Sequence, residues 1–155
     1  MVSTLFLSLC LPALAQTVPA GWKILKDAKS ACQIAVPPDW IPLPEAGGAA
    51  VFHDPGTGIA VVTSQPGQSF QALSESQLRL IGIAKEKLFE NSNKRLFYQD
   101  KTSRNTDDSN AYSAMVPGNG GTCSYHVVFL PSITEEIARK IALSLGPATE
   151  GKTGP

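Results

Sequence analysis

Short runs of alternating polar and apolar residues, each closed by proline or glycine, recur along most of this sequence. They restrict the chain to a fold built mainly from antiparallel strands with tight turns. Gly21–Asp27 places Trp22, Ile24 and Lys26 on one parity and Lys23 and Leu25 on the other. Ala31–Val36 repeats the pattern: Cys32, Ile34 and Val36 point one way, Gln33 and Ala35 the other. Pro37-Pro38 ends that run, because proline has no N–H to give a ladder. Trp40 follows as a bulky anchor, and Pro42–Gly48 reads as loop. Ala49–His53 and Gly58–Ser64 flank Asp54-Pro55-Gly56-Thr57, the composition of a hairpin. Ile59–Val62 is nearly continuous in apolar character, the mark of a strand covered on both faces. Arg95–Lys101, Ala111–Val116 and Thr122–Leu130 are further strands, the last two joined through Pro117–Gly121. In the final run Cys123, Tyr125, Val127 and Phe129 share one face; Ser124, His126, Val128 and Leu130 share the other.

Two segments carry helical spacing. Phe70, Leu73, Leu80, Ile81, Ala84 and Leu88 form a stripe that predicts a long helix over Ser69–Glu90. Ser74 with Gln77 has the form of a capping box, which would start the helix later, and Asn91 suits its end. Ile133, Ile137, Ile141 and Leu145, with Ala138 and Ala142 beside them, predict a C-terminal helix. Ser132 and Glu135 form its expected capping box, Gly146 its expected left-handed cap, and Pro147 forbids continuation. Ala148–Pro155 reads as a disordered polar tail. The fold class expected is therefore α+β: an antiparallel sheet of about five to seven strands, with a long central helix and a C-terminal helix packed on it in an α/β/α manner.

Residues 1–15, MVSTLFLSLCLPALA, are uncharged, apolar from Leu5 to Leu14, and end in Ala13-Leu14-Ala15. That is a secretory leader with cleavage expected after Ala15, although the usual basic start is missing. Residues 16–147 would then be a single exported domain, periplasmic or extracellular. Removing the leader removes Cys10 and leaves Cys32 and Cys123. An even pair in an exported chain reads as a disulfide, the alternative being two inert buried thiols. Lys+Arg and Asp+Glu number 13 each, so the formal net charge is zero. Nucleic-acid binding, which needs a basic stripe, is not expected. No apolar run reaches the roughly 18 residues of a membrane-spanning helix, so no span is expected in the mature chain.

The order of elements resembles the PsbP family, the extrinsic lumenal photosystem II subunit and its bacterial relatives, a fold shared by a Ran-binding nuclear transport factor. The strand ending in Pro37-Pro38-Asp39-Trp40 carries the resemblance, with Phe52-His53-Asp54-Pro55 before an apolar strand and the closing strand–helix pair. It extends over about Gly21–Gly146. The segment between Asn91 and Gly121 looks shorter than in the plant proteins. The resemblance implies an antiparallel sheet with helices on its faces, and no particular function, because one fold hosts unrelated activities.

Chemistry-bearing residues are sparse. His53-Asp54 and His126 are the titratable groups around which a hydrolytic or metal-dependent site could assemble, but two histidines without short ligand spacing do not make a metal site. Cys123 and His126 fall on opposite strand faces and cannot act as nucleophile and base. Asn105–Asn110 resembles half a calcium loop without its central glycine and closing glutamate. Ser113 and Ser124 show no His–Asp network by spacing. Tyr98, Tyr112 and Tyr125 read as core beneath a helix, or else as a partner surface. The function expected is that of a non-catalytic binding or accessory protein without cofactor, metal or catalytic residues, with a protein or small ligand as partner. The rivals are an enzyme built around His53, Asp54 and His126, and an apolar-ligand carrier lined by Phe70, Leu80 and Leu88.

Overall fold

The computed structural model describes residues 16–43, 48–51, 58–100, 110–129 and 134–149. The leader, the Asp54–Thr57 turn, His53, Asp54, the Asn105–Asn110 loop, Ser132 and residues 150–155 lie wholly or largely outside them. The chain forms β1 (Lys23–Lys26), β2 (Cys32–Val36), β3 (Ile41–Leu43), β4 (Ala49–Val51) and β5 (Gly58–Pro66). Next come α1 (Glu75–Leu80), β6 (Leu88–Asn91), β7 (Leu96–Asp100), β8 (Asn110–Gly118) and β9 (Gly121–Phe129). The helix α2 (Glu135–Ser144) and the two-residue strand β10 (Gly146–Pro147) close the described chain. The α+β class and the antiparallel pairing therefore hold. Strands β5, β9, β8, β7 and β6 lie side by side in a large sheet, extended beyond β5 by the short β4 and β3. A second sheet has the order β1-β2-β10.

The alternation of the sequence becomes the two faces of the large sheet. Ala60, Val62, Phe97, Tyr112, Ala114, Val116, Cys123, Tyr125 and Val127 point inward and are buried. Against them lie Ile34 and Val36 of β2 and Ala138, Ile141, Ala142 and Leu145 of α2, in one continuous core with Trp40. The small sheet and α2 thus share the inner face. Polar bonds fix their placement. The Tyr125 hydroxyl donates to the Ala138 carbonyl at 2.9 Å, and Ser144 Oγ accepts from the Ala35 N–H at 2.7 Å. Cys32 and Cys123 form the expected disulfide, with Cα atoms 5.5 Å apart. It joins β2 to β9, and so one sheet to the other.

The long helix is not formed. Its first turn does start at the Ser74–Gln77 capping box, but α1 ends after six residues. Gly82 takes φ +78°, its N–H bonds to Arg79 O, and the Ile83 N–H bonds to Leu78 O at 2.9 Å. This pair of bonds around a left-handed glycine is a Schellman stop, with Leu78 and Ile83 making its apolar contact. The residues that follow turn into β6. The stripe read from the sequence is accordingly dismantled: Leu80 is 85% and Ile81 54% exposed, while Phe70, Leu73 and Leu88 pack with Leu78, Ile83 and Leu96 on the outer face of the large sheet. Asn91 caps no helix; its side chain bonds both the N–H and the carbonyl of Leu73.

Gly146 is also not a left-handed cap. After α2 the backbone becomes extended at Leu145, and Gly146 and Pro147 pair with Gln33 and Cys32. A Cβ at Gly146 would collide with the Gln16 side chain, whose Nε2 donates to Pro147 O and whose Oε1 accepts from Gln33. Ordered contacts continue past Pro147, since Ala148 N–H bonds to Ala31 O and Thr149 N–H to Gln33 Oε1. Thr134 precedes α2 without a side-chain capping bond.

Candidate functional site

The α1 segment packs on the outer face of the large sheet over β6, β7 and β8, and ahead of it the Gln68 carbonyl accepts from Thr122 Oγ1 of β9. Beside that cover the strands bring polar residues together in two lateral rows. Val61, His126, Ser113 and Tyr98 are cross-strand partners along one row. Thr63, Ser124, Met115 and Leu96 form the next. Side chains facing each other across strands lie within reach of direct contact. Together these rows, Leu96 apart, line a shallow hollow of about 130 Å³.

Ser113 is the centre of its row. Its Oγ lies 2.7 Å from His126 Nδ1 and 3.2 Å from Asp100 Oδ2, and it also bonds the Tyr98 hydroxyl. Asp100 Oδ2 is 3.9 Å from His126 Nδ1. A serine has one proton to donate, so a donation to Asp100 goes with the His126 tautomer that carries its proton on Nδ1 and donates to Ser113. In the second row Thr63 Oγ1 and Ser124 Oγ are 2.8 Å apart. Burial pushes the Tyr98 phenol up, its bond with Ser113 pulls it back, and the Asp100 charge adds to the rise. The net shift is upward, so the phenol remains a donor at neutral pH.

Serine, histidine and aspartate in contact invite comparison with a hydrolytic triad, and the order is wrong for one. In a triad the imidazole stands between the other two, taking the serine proton on one nitrogen and meeting the carboxylate with the other. Here Ser113 and Asp100 both address Nδ1. A proton taken from Ser113 would therefore reach a nitrogen that no carboxylate among the described residues orients from the far side. Among the described residues no three His, Cys, Asp or Glu side chains converge as metal ligands. Of the residues singled out from sequence, His53 and Asp54 lie outside the described residues. His126 is half exposed at this hollow. Cys123 is buried on the opposite face in the disulfide. Tyr112 and Tyr125 are core residues, and burial pushes both phenols up. Tyr98 alone of the three tyrosines belongs to the outer face.

The Ser113–His126 contact was open to sequence reasoning. Closing the β8–β9 hairpin on a two-residue Asn119-Gly120 turn sets Ser113 opposite His126, and Gly120 has the positive φ such turns use. Asp100 had no such signal, because the connection from β7 to β8 is long.

No protein-family model matches the chain, and no curated protein matches it. It is similar to a solved structure from Bacteroides thetaiotaomicron VPI-5482 at 1.50 Å resolution, with a TM-score of 0.53 at 14% sequence identity. The match covers 87% of this chain and 52% of that one. This chain thus spans about half the length of that structure, and the likeness shows the fold alone.

Proposed function

We propose that this chain is an exported, non-catalytic binding module of PsbP-like type, and that it binds through the hollow around Ser113, Ser124 and His126. One observation carries the reading: two hydrogen-bonded pairs, Thr63–Ser124 and Ser113–His126, sit side by side on the outer sheet face, with Thr63 and His126 exposed and the two serines buried behind them. A preorganised polar group needs no ordering on binding, which is where much affinity is otherwise lost. The buried Cys32–Cys123 disulfide and the leader-like residues 1–15 support export, since such bridges persist in oxidising compartments. An antiparallel sheet with a C-terminal helix on one face supports the PsbP-like type. The shared nitrogen of Ser113 and Asp100 supports a non-catalytic role.

The test uses immobilised protein and an envelope extract from its source, with Thr63→Arg beside the wild type. Thr63 is exposed at the hollow's edge, so an arginine there obstructs the hollow while leaving the core intact. A stoichiometric partner held by the wild type and lost with Thr63→Arg is the expected result. Equal capture by both proteins, or none by either, overturns the proposal.

A further inference from the structure

We propose that the hollow accepts a single neutral sugar ring, an assignment that rests on the binding-module reading above. The polar residues that line it are Thr63, Tyr98, Ser113, Ser124 and His126, with Thr63 and His126 exposed and the two serines buried at its floor. Hydroxyls both donate and accept, unlike ammonium, which only donates, or carboxylate and phosphate, which only accept. A ring bearing adjacent hydroxyls is the ligand that uses both capacities at once. Charge points the same way. Among the described residues no lysine or arginine lines the hollow, so an anion would find no cation among them, and the carboxylate of Asp100 stands close behind Ser113. That carboxylate does not itself line the hollow, so an ammonium group inside it would lack a direct counter-charge.

Size narrows the class further. A volume of about 130 Å³ is close to the roughly 150 Å³ of a cavity that takes one benzene ring, so a single six-membered ring seats in the hollow with its outer substituents in solvent. It is well below the ~300 Å³ at which pockets for larger organic ligands begin. Val61 and the Tyr98 ring add apolar surface for the C–H face of such a ring. The hydroxyls are also held in place. Thr63 and Ser124 share one bond and retain a second proton for a ligand, while Ser113 is fixed by three partners.

The experiment titrates isotopically labelled protein with glucose, galactose and N-acetylglucosamine, followed by amide NMR. Inorganic phosphate and methylammonium are the charged controls. The expected result is saturable shifts around Thr63, Ser113 and Ser124 with at least one sugar and none with the controls. Ser124→Ala should weaken binding about five- to tenfold, the loss of one hydrogen bond, and Thr63→Arg should abolish it. Absence of sugar shifts, equal response to a charged control, or sugar shifts that survive Thr63→Arg overturns the assignment. If sugars fail while capture from the extract still depends on Thr63, the ligand class falls and the binding module stands. If neither responds, both fall.

Discussion

Asp27 shows how one buried carboxylate organises the start of the fold. It is 6% exposed and accepts from the N–H groups of Ala31 at 2.7 Å and Cys32 at 2.8 Å and from Ser64 Oγ at 2.6 Å. The turn before β2, the disulfide cysteine and β5 are thereby held by one side chain. Burial pushes its carboxyl up. The bonds from Cys32, Ser64, Ala31 and Lys29 together push it further down, below its ordinary value of 3.8. A depressed folded pKa contributes stability that is present above that ordinary value and is lost as pH falls through the folded one. The urea midpoint should therefore drop on acidification below about pH 4, and Asp27→Asn should flatten that drop. Glu136 is also lowered, through its bond and charge interaction with Lys140, but it is fully exposed, so added salt should erase its share and spare that of Asp27. An acid limb that Asp27→Asn leaves unchanged would exclude this role. Neither the bonds nor the burial could be read from the sequence, where Asp27 is one acid beside a turn.

Elements were legible where period and punctuation agreed, and misread where they conflicted. The strands of the large sheet and the faces of β9 follow from alternation and turn residues. The Ser69–Glu90 segment offered a helical stripe, yet the residues that bury are Leu78 and Ile83, which the stripe omitted. Gly82 was the decisive signal, since it lets the chain turn left-handed and fold Ile83 back on Leu78. Gly48 also has positive φ, at +92°, but its surroundings differ. A Cβ at Gly82 meets nothing within 4 Å, whereas one at Gly48 lies 2.8 Å from both Asp27 Cα and Val62 O. Gly82→Ala should therefore cost only the backbone term, about 1 kcal/mol. Gly48→Ala adds a collision with backbone on two sides and should cost upwards of about 2 kcal/mol. Equilibrium urea unfolding of the two variants checks this ordering, and equal losses would contradict it. The same conflict of signals explains Gly146: a glycine before proline suggested a helix stop, while pairing with Gln33 made it a strand.

The whole molecule depends on joining two sheets that share a core without sharing a ladder. Among the described residues every backbone pair in the small sheet stays within β1, β2 and β10, and the large sheet has its own seven strands. Side-chain packing and the bond from Cys32 to Cys123, 91 residues apart in sequence, hold them together. A loop of that length restricts the unfolded chain strongly, and the bridge should add about 4 kcal/mol in the chain-entropy account. Both cysteines are at most 2% exposed, so a reductant reaches them mainly after unfolding. Residues 16–155, which lack Cys10, should keep their mass unchanged when treated natively with an alkylating reagent, and should gain two labels once unfolded and reduced. The Cys32→Ala, Cys123→Ala double variant should lose stability of that order. Its dependence on urea should steepen, because an unfolded chain freed of the link exposes more surface. The two sheets should also part company: hydrogen exchange should rise first in β1, β2 and β10, while the β5–β9 and β8–β9 ladders keep their protection. Two labelled thiols in native, unreduced protein would remove the bridge, and uniform loss of protection would show that packing alone makes the two sheets one cooperative unit.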